Sequence, residues 1–218
     1  MNLITTNPFT LDLTELPHRT LAIVRGTDRD AALRTVLTLA EEGITAAEVS
    51  LTTPGALWVI EQARRELGPT ATLGAGTVLT GEDAARAADA GASFLVTPGL
   101  GNDLRHSPAP AIPMLVGALT PSEVIAATEN GALAVKLFPA SLGGPAYLKA
   151  LRAPFPSVPF LPVGGIDAAC ALDYLSAGAV AVGVGSPLVG DAADGGSLNA
   201  LRERAARWRT ALTEETAA

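Results

Sequence analysis

Lysine is almost missing from this chain of 218 residues. Lys136 and Lys149 are the only two among 15 lysines and arginines. Arginine stays protonated at any working pH and cannot serve as a nucleophilic amine. A lysine inside an apolar strand of such a chain therefore invites a chemical reading. Cysteine is scarcer still. Cys170 stands alone, which excludes an internal disulfide and a cysteine cluster for metal. The two histidines, His18 and His106, lie far apart in loop-like contexts, so a histidine metal site has no support and no metal or cofactor is expected. The net charge is −7 with no Lys/Arg-rich stretch, so the electrostatic footprint of a nucleic-acid binder is missing. No run of about 18 apolar residues predicts a membrane span. The first seven residues lack a basic region and a long apolar core, and do not read as a secretory signal. The composition reads as a soluble cytoplasmic protein of one domain over residues 1–218, with 48% hydrophobic residues to build a core.

Eight short apolar runs are present, alternating with alanine-rich helical stretches. They are centred on 21–26, 47–51, 72–78, 93–97, 113–118, 132–138, 160–164 and 179–185. Asp28 is placed to cap a helix over about 29–42. Thr120-Pro121-Ser122-Glu123 has the spacing of a helix start, with Thr120 as cap and Glu123 three residues on. Pro54 reads as another helix start. A last amphipathic helix is predicted from about Ser197 to Leu212, with a frayed tail from Thr213. Strand–helix alternation predicts a parallel sheet, and eight units predict a closed (β/α)8 TIM barrel, an α/β fold, with a doubly wound open sheet as the structural alternative. The proline-rich piece 107–113 is short enough for an ordinary loop. Cys170 is expected to be a small buried hydrophobe, Trp58 and Trp208 to pack in helices, and Lys149 to lie on an exposed helix face.

In such barrels the active site lies at the C-terminal ends of the strands. Few polar residues fall there: Arg25, Glu48 with Ser50 on its face, Thr77, and Lys136 on a face with Ala134 and Phe138. A free lysine has a pKa near ~10.4, and desolvation lowers it. A neutral amine in an apolar strand can attack a keto group and form a Schiff base, and a carboxylate such as Glu48 would then move protons. A structural Lys136–Glu48 ion pair is the competing reading. Gly164-Gly165 after strand seven and Gly185-Ser186 after strand eight occupy the usual phosphate loops of barrels, where backbone N–H groups approach an anion.

In order along the chain stand Ala22-Ile23-Val24-Arg25, Glu48-Val49-Ser50-Leu51, Gly74 to Leu79, Thr97-Pro98-Gly99, Thr120 to Glu123 and Val135-Lys136-Leu137-Phe138-Pro139-Ala140. With Gly164-Gly165-Ile166 and Gly185-Ser186, this set resembles the 2-keto-3-deoxy-6-phosphogluconate/4-hydroxy-2-oxoglutarate aldolases over roughly residues 18–210. The resemblance implies a homotrimeric class I aldolase. Its substrate would be a phosphorylated keto acid, split to pyruvate and glyceraldehyde 3-phosphate. Lys136 would be the Schiff-base lysine and Glu48 the general acid/base. Thr77 would hold the keto-acid carboxylate, and Pro98 and Phe138 would wall the pyruvate methyl. Gly164, Gly165, Gly185 and Ser186 would hold the phosphate.

One position departs from the pattern. The gluconate branch carries arginine four residues after the glutamate, and here Thr52 stands there. Arg25 could take over the anion. Thr52 and the segment Leu142–Leu151 resemble the phosphogalactonate branch instead. Outside the family, the same residues would suit a phosphate-binding epimerase or isomerase using Glu48 as base, or a barrel that binds a sugar phosphate without turnover.

Overall fold

The computed structural model describes residues 11–107 and 112–214. The opening stretch, the middle of the proline-rich piece and the tail from 215 lie outside these residues.

Eight parallel strands form one sheet: β1 Thr20–Val24, β2 Ala46–Ser50, β3 Thr72–Gly76, β4 Phe94–Val96, β5 Met114–Ala118, β6 Ala134–Leu137, β7 Phe160–Pro162 and β8 Val182–Val184. Their order runs from β7 down to β1 and then β8. A parallel bridge between Val163 and Gly183 joins the two ends, and the Val180 N–H donates to the Phe160 carbonyl at 3.0 Å. The result is the expected (β/α)8 barrel. Between the strands lie α1 Arg29–Glu41, α2 Ala56–Leu67, α3 Gly81–Asp89, α4 Asn102–His106, α5 Pro121–Glu129, α6 Gly144–Arg152, α7 Ala168–Ser176 and α8 Ser186–Val189, with α9 Leu198–Glu214 closing the ring. No helix among the described residues is long and apolar enough to cross a membrane.

Local chemistry sets the helix starts. Asp28 accepts from the Ala31 N–H at 2.7 Å and opens α1. Thr120 and Glu123 form the reciprocal cap predicted for α5, and Thr80 with Asp83 repeats it at α3. Pro54 does not begin α2, which starts at Ala56 behind a left-handed Gly55. The five-residue α4 was not foreseen. The final helix reaches Glu214, so Thr213 is helical rather than frayed.

Side chains alternate along each strand, which splits the core into two layers. Leu21, Ala46, Phe94, Val96, Leu115, Ala134, Leu161 and Ala181 fill the barrel, and Leu13 and Leu16 stop its lower end. The opposite faces pack against the helices, where Val49, Leu73, Val116 and Val135 are fully or almost fully buried. Trp208 of α9 is buried and donates from Nε1 to Thr20 Oγ1 at 2.9 Å. Trp58 stacks under the Arg29 guanidinium, 4.6 Å from its ring centroid. Cys170 is half-buried rather than buried, and Lys149 is exposed as expected.

Candidate active site

Lys136 is the third residue of β6, on the inward face with Ala134. Glu48 holds the same position in β2, on the inward face with Ala46. In the ring order β2 and β6 are four strands apart, so the two side chains enter the barrel from opposite walls. Lys136 is 6% exposed and Glu48 2%. Glycines make the room. A Cβ at Gly76 would lie 2.5 Å from Glu48 Oε1. Gly117 pairs with Lys136 in the β5–β6 register, and a Cβ there would collide with the Pro98 carbonyl.

The two charges are not an ion pair. Glu48 Oε2 is buried without a hydrogen-bond partner among the described residues. Burial pushes the Glu48 carboxyl above its ordinary range, and the positive charge of Lys136 opposes that with a smaller effect. Lys136 Nζ lies 5.2 Å from the centroid of the Phe138 ring, at the face of the aromatic. The structural ion-pair reading therefore lacks its contact.

A cavity of about 320 Å³ opens above this pair. Every residue given a site role from sequence lines it: Lys136, Glu48, Arg25, Thr77, Pro98, Phe138, Gly164, Gly165, Gly185 and Ser186. Arg25 follows β1 directly and is exposed. Gly164 and Gly165 have φ of 106° and 72°, backbone that a side chain would disfavour. The Gly165 and Ser186 amides have no backbone acceptor among the described residues. Thr77 follows β3 with φ 58°, a left-handed conformation uncommon for a β-branched residue. Such outliers gather at functional sites.

Sequence reasoning placed Ser50 beside Glu48 but gave it no role. Its buried hydroxyl lines the cavity and lies 2.9 Å from Thr77 Oγ1. Ile23, Val163, Ile166 and Val189 also line the walls and were missed as site residues. Val163 and Ile166 flank the glycine pair already noted, so their neighbourhood was a signal. Thr52 is exposed and does not line the cavity. Among the described residues it reaches the site through Ser50, at 2.8 Å. Among the described residues no group of three or more His, Cys, Asp or Glu gathers as a metal site.

A buried amine facing a buried carboxylate in the mouth of a (β/α)8 barrel, beside glycine loops suited to an anion, supplies the groups that an imine-forming carbon–carbon lyase needs. The family model for KDPG and KHG aldolase matches residues 14–200, and the chain belongs to that family. It is a class I aldolase. The 2-dehydro-3-deoxy-phosphogluconate aldolase of Pseudomonas aeruginosa is 43% identical over 140 residues, 63% of either chain. A solved native KDPGal structure superposes with a TM-score of 0.85 at 32% identity, covering 96% of this chain and all of the other. KDPG aldolase from Legionella pneumophila, solved with pyruvate captured as a covalent carbinolamine, has a TM-score of 0.77 at 29% identity, covering 91% and 96%.

Proposed function

We propose that the protein cleaves a 2-keto-3-deoxy-6-phospho sugar acid to pyruvate and glyceraldehyde 3-phosphate, with Lys136 as the attacking amine and Glu48 as proton shuttle. The observation that carries this reading is the unpartnered, buried Glu48 carboxylate facing Lys136 within one cavity. The neutral amine adds to the C2 carbonyl, and the carbonyl oxygen takes a proton from Glu48. Loss of water leaves an iminium. Glu48, now a carboxylate, takes the C4 hydroxyl proton as the C3–C4 bond breaks, and the bonding pair passes into the iminium to give an enamine. Glu48 returns its proton to C3; water then adds to the iminium and releases pyruvate and the free amine, and the proton set free restores the Glu48 acid. Thr77 and Arg25 meet the carboxylate, and Pro98 and Phe138 wall the methyl. Gly164, Gly165, Gly185 and Ser186 receive the phosphate through backbone and hydroxyl donors.

Borohydride in the presence of pyruvate tests the imine. A reduced pyruvate adduct is expected on Lys136 by peptide mass mapping. Its absence would sink the mechanism, as would Lys136→Arg retaining cleavage.

For the sugar we favour the phosphogalactonate type. Thr52 and the Leu142–Leu151 segment support it, and so does the likeness to the KDPGal structure. The 43% identity to a phosphogluconate enzyme weighs the other way. The two C4 epimers, assayed side by side, should differ in kcat/KM in favour of the galacto compound. A gluco preference overturns this part alone. The reading also takes a cytoplasmic homotrimer from the resemblance, and a native mass near three times 22.1 kDa checks the assembly.

A further inference from the structure

Ser50 is 1% exposed and has no part in the steps above. It lies two residues beyond Glu48, on the same inward face of β2. Its Oγ is 2.8 Å from Thr52 Oγ1 and 2.9 Å from Thr77 Oγ1. Three hydroxyls thus stand in a row, from exposed Thr52 through Ser50 to Thr77 at the cavity wall. Each hydroxyl has one proton to give and two lone pairs to receive. Among the described residues the Ser50 Oγ has no other hydrogen-bond partner. An unmet donor at a buried site is costly, so the Ser50 proton goes to one of the two threonines.

Two directions of the chain follow. In one, Thr52 donates to Ser50 and Ser50 to Thr77, which leaves the Thr77 proton for the cavity. In the other, Thr77 donates to Ser50 and turns only lone pairs to the cavity. An anion accepts and cannot donate, so an anion at Thr77 selects the first direction. Successive donors then polarise one another. The backbone is already set for this. Thr77 is held at φ 58°, and such a conformation persists only where neighbours hold it.

We propose that Ser50 is a positioning residue for the keto-acid carboxylate: it donates to Thr77 and aims the Thr77 hydroxyl proton into the cavity, with Thr52 completing the chain at the solvent side. This rests on the reading that Thr77 meets the carboxylate. Position 52 supplies no cation, so on this side of the site the grip comes from oriented hydroxyls. The carboxylate is held alike before and during bond cleavage, so the effect falls on binding and not on the chemical step.

The experiment pairs steady-state kinetics on the phosphorylated keto acid with the pyruvate concentration needed for half-maximal borohydride trapping. Ser50→Ala is expected to raise both KM and the half-trapping concentration about tenfold, the effect of one lost oriented hydrogen bond, with kcat within about twofold. Ser50→Thr keeps the hydroxyl and should bring both to within about threefold of the parent. Thr52→Val, at an exposed position, should raise both by about two- to threefold, and should add nothing to Ser50→Ala because the chain is already cut. Ser50→Ala with both concentrations unchanged, or with kcat alone reduced, overturns the positioning role. If Ser50→Ala does not fold, Thr52→Val decides, and no rise in either concentration overturns the proposal. Thr77→Val separates the two layers of the argument. If it leaves both concentrations unchanged, the reading of Thr77 itself fails. If it raises them while Ser50→Ala does not, only the chain fails.

Discussion

Glu48 carries a conflict that surface carboxylates avoid. In the proposed mechanism its ionised form takes the C4 hydroxyl proton, yet burial disfavours that form and raises its pKa above the ordinary 4.5. Lys136 offsets part of the penalty from across the barrel. As pH falls through the raised pKa, the base is protonated and cleavage slows. The acidic limb of kcat is therefore expected to have its midpoint above 4.5. A pH profile with the midpoint at or below that value would contradict the assignment. Glu48→Gln should lower kcat by about 10²–10⁴ and abolish the limb. The same residue sets a stability slope. Between 4.5 and the folded-state pKa the native protein holds a proton that the unfolded chain has released, so this contribution to stability declines as pH rises through that window. Glu48→Gln removes the slope, and denaturant unfolding should find the variant at least as stable as the parent at neutral pH. A less stable variant would mean that the carboxylate is better compensated than its unpartnered Oε2 implies.

At the scale of elements, much of the barrel was legible because each cue is local. The eight apolar runs became the eight strands, most of them trimmed at their ends, with β1 and β2 starting one residue earlier than their runs: the run 179–185 is strand only over Val182–Val184. Asp28 and Thr120 cap the helices they were expected to cap, since a cap needs only a side chain and an amide two or three residues on. The inward placement of Glu48 and Lys136 follows from the two-residue period of a strand. What escaped has no local period or depends on tertiary contact. The helix α4 has five residues and starts behind Gly101 without a side-chain cap. Leu13 and Leu16 plug the barrel from short 3-10 turns, too brief for any hydrophobic rhythm. The left-handed Thr77 contradicts its own propensity and is explained only by what surrounds it. Thr52 stands at the position where the gluconate branch carries arginine, but the chain leaves β2 at Ser50 and turns Thr52 to solvent. No residue pattern could say that Glu48 and Lys136 would face each other without touching, since their gap is set by the barrel's width.

At the scale of the whole molecule, the site is clasped from outside by its last helix. The chain's first and last strands meet where β8 pairs in parallel with β1. Helix α9 crosses that seam. Trp208 ties it to Thr20 of β1, and Arg204 donates from Nε to the Leu188 carbonyl at 2.8 Å and from Nη2 to the Val189 carbonyl at 2.7 Å. Those carbonyls end α8, the short helix that begins with Ser186 at the cavity. Gly190 follows, and a Cβ there would lie 2.5 Å from Arg204 Nη2, so the contact leaves no space. The ion pairs of Arg202 with Glu41 and Glu42 also join α9 to the end of α1, but they are partly solvated and contribute little. Arg204 thus links the outer layer to the end of the site formed by α8, where the phosphate is proposed to bind. Arg204→Met keeps the apolar stem and removes both hydrogen bonds. It should cost about 1–3 kcal/mol in denaturant unfolding and raise KM for the phosphorylated substrate about tenfold. Pyruvate carries no phosphate, so its borohydride trapping on Lys136 should keep the parent's concentration dependence. A parallel loss in pyruvate trapping would mean that Arg204 braces the barrel as a whole and not the phosphate end of the site.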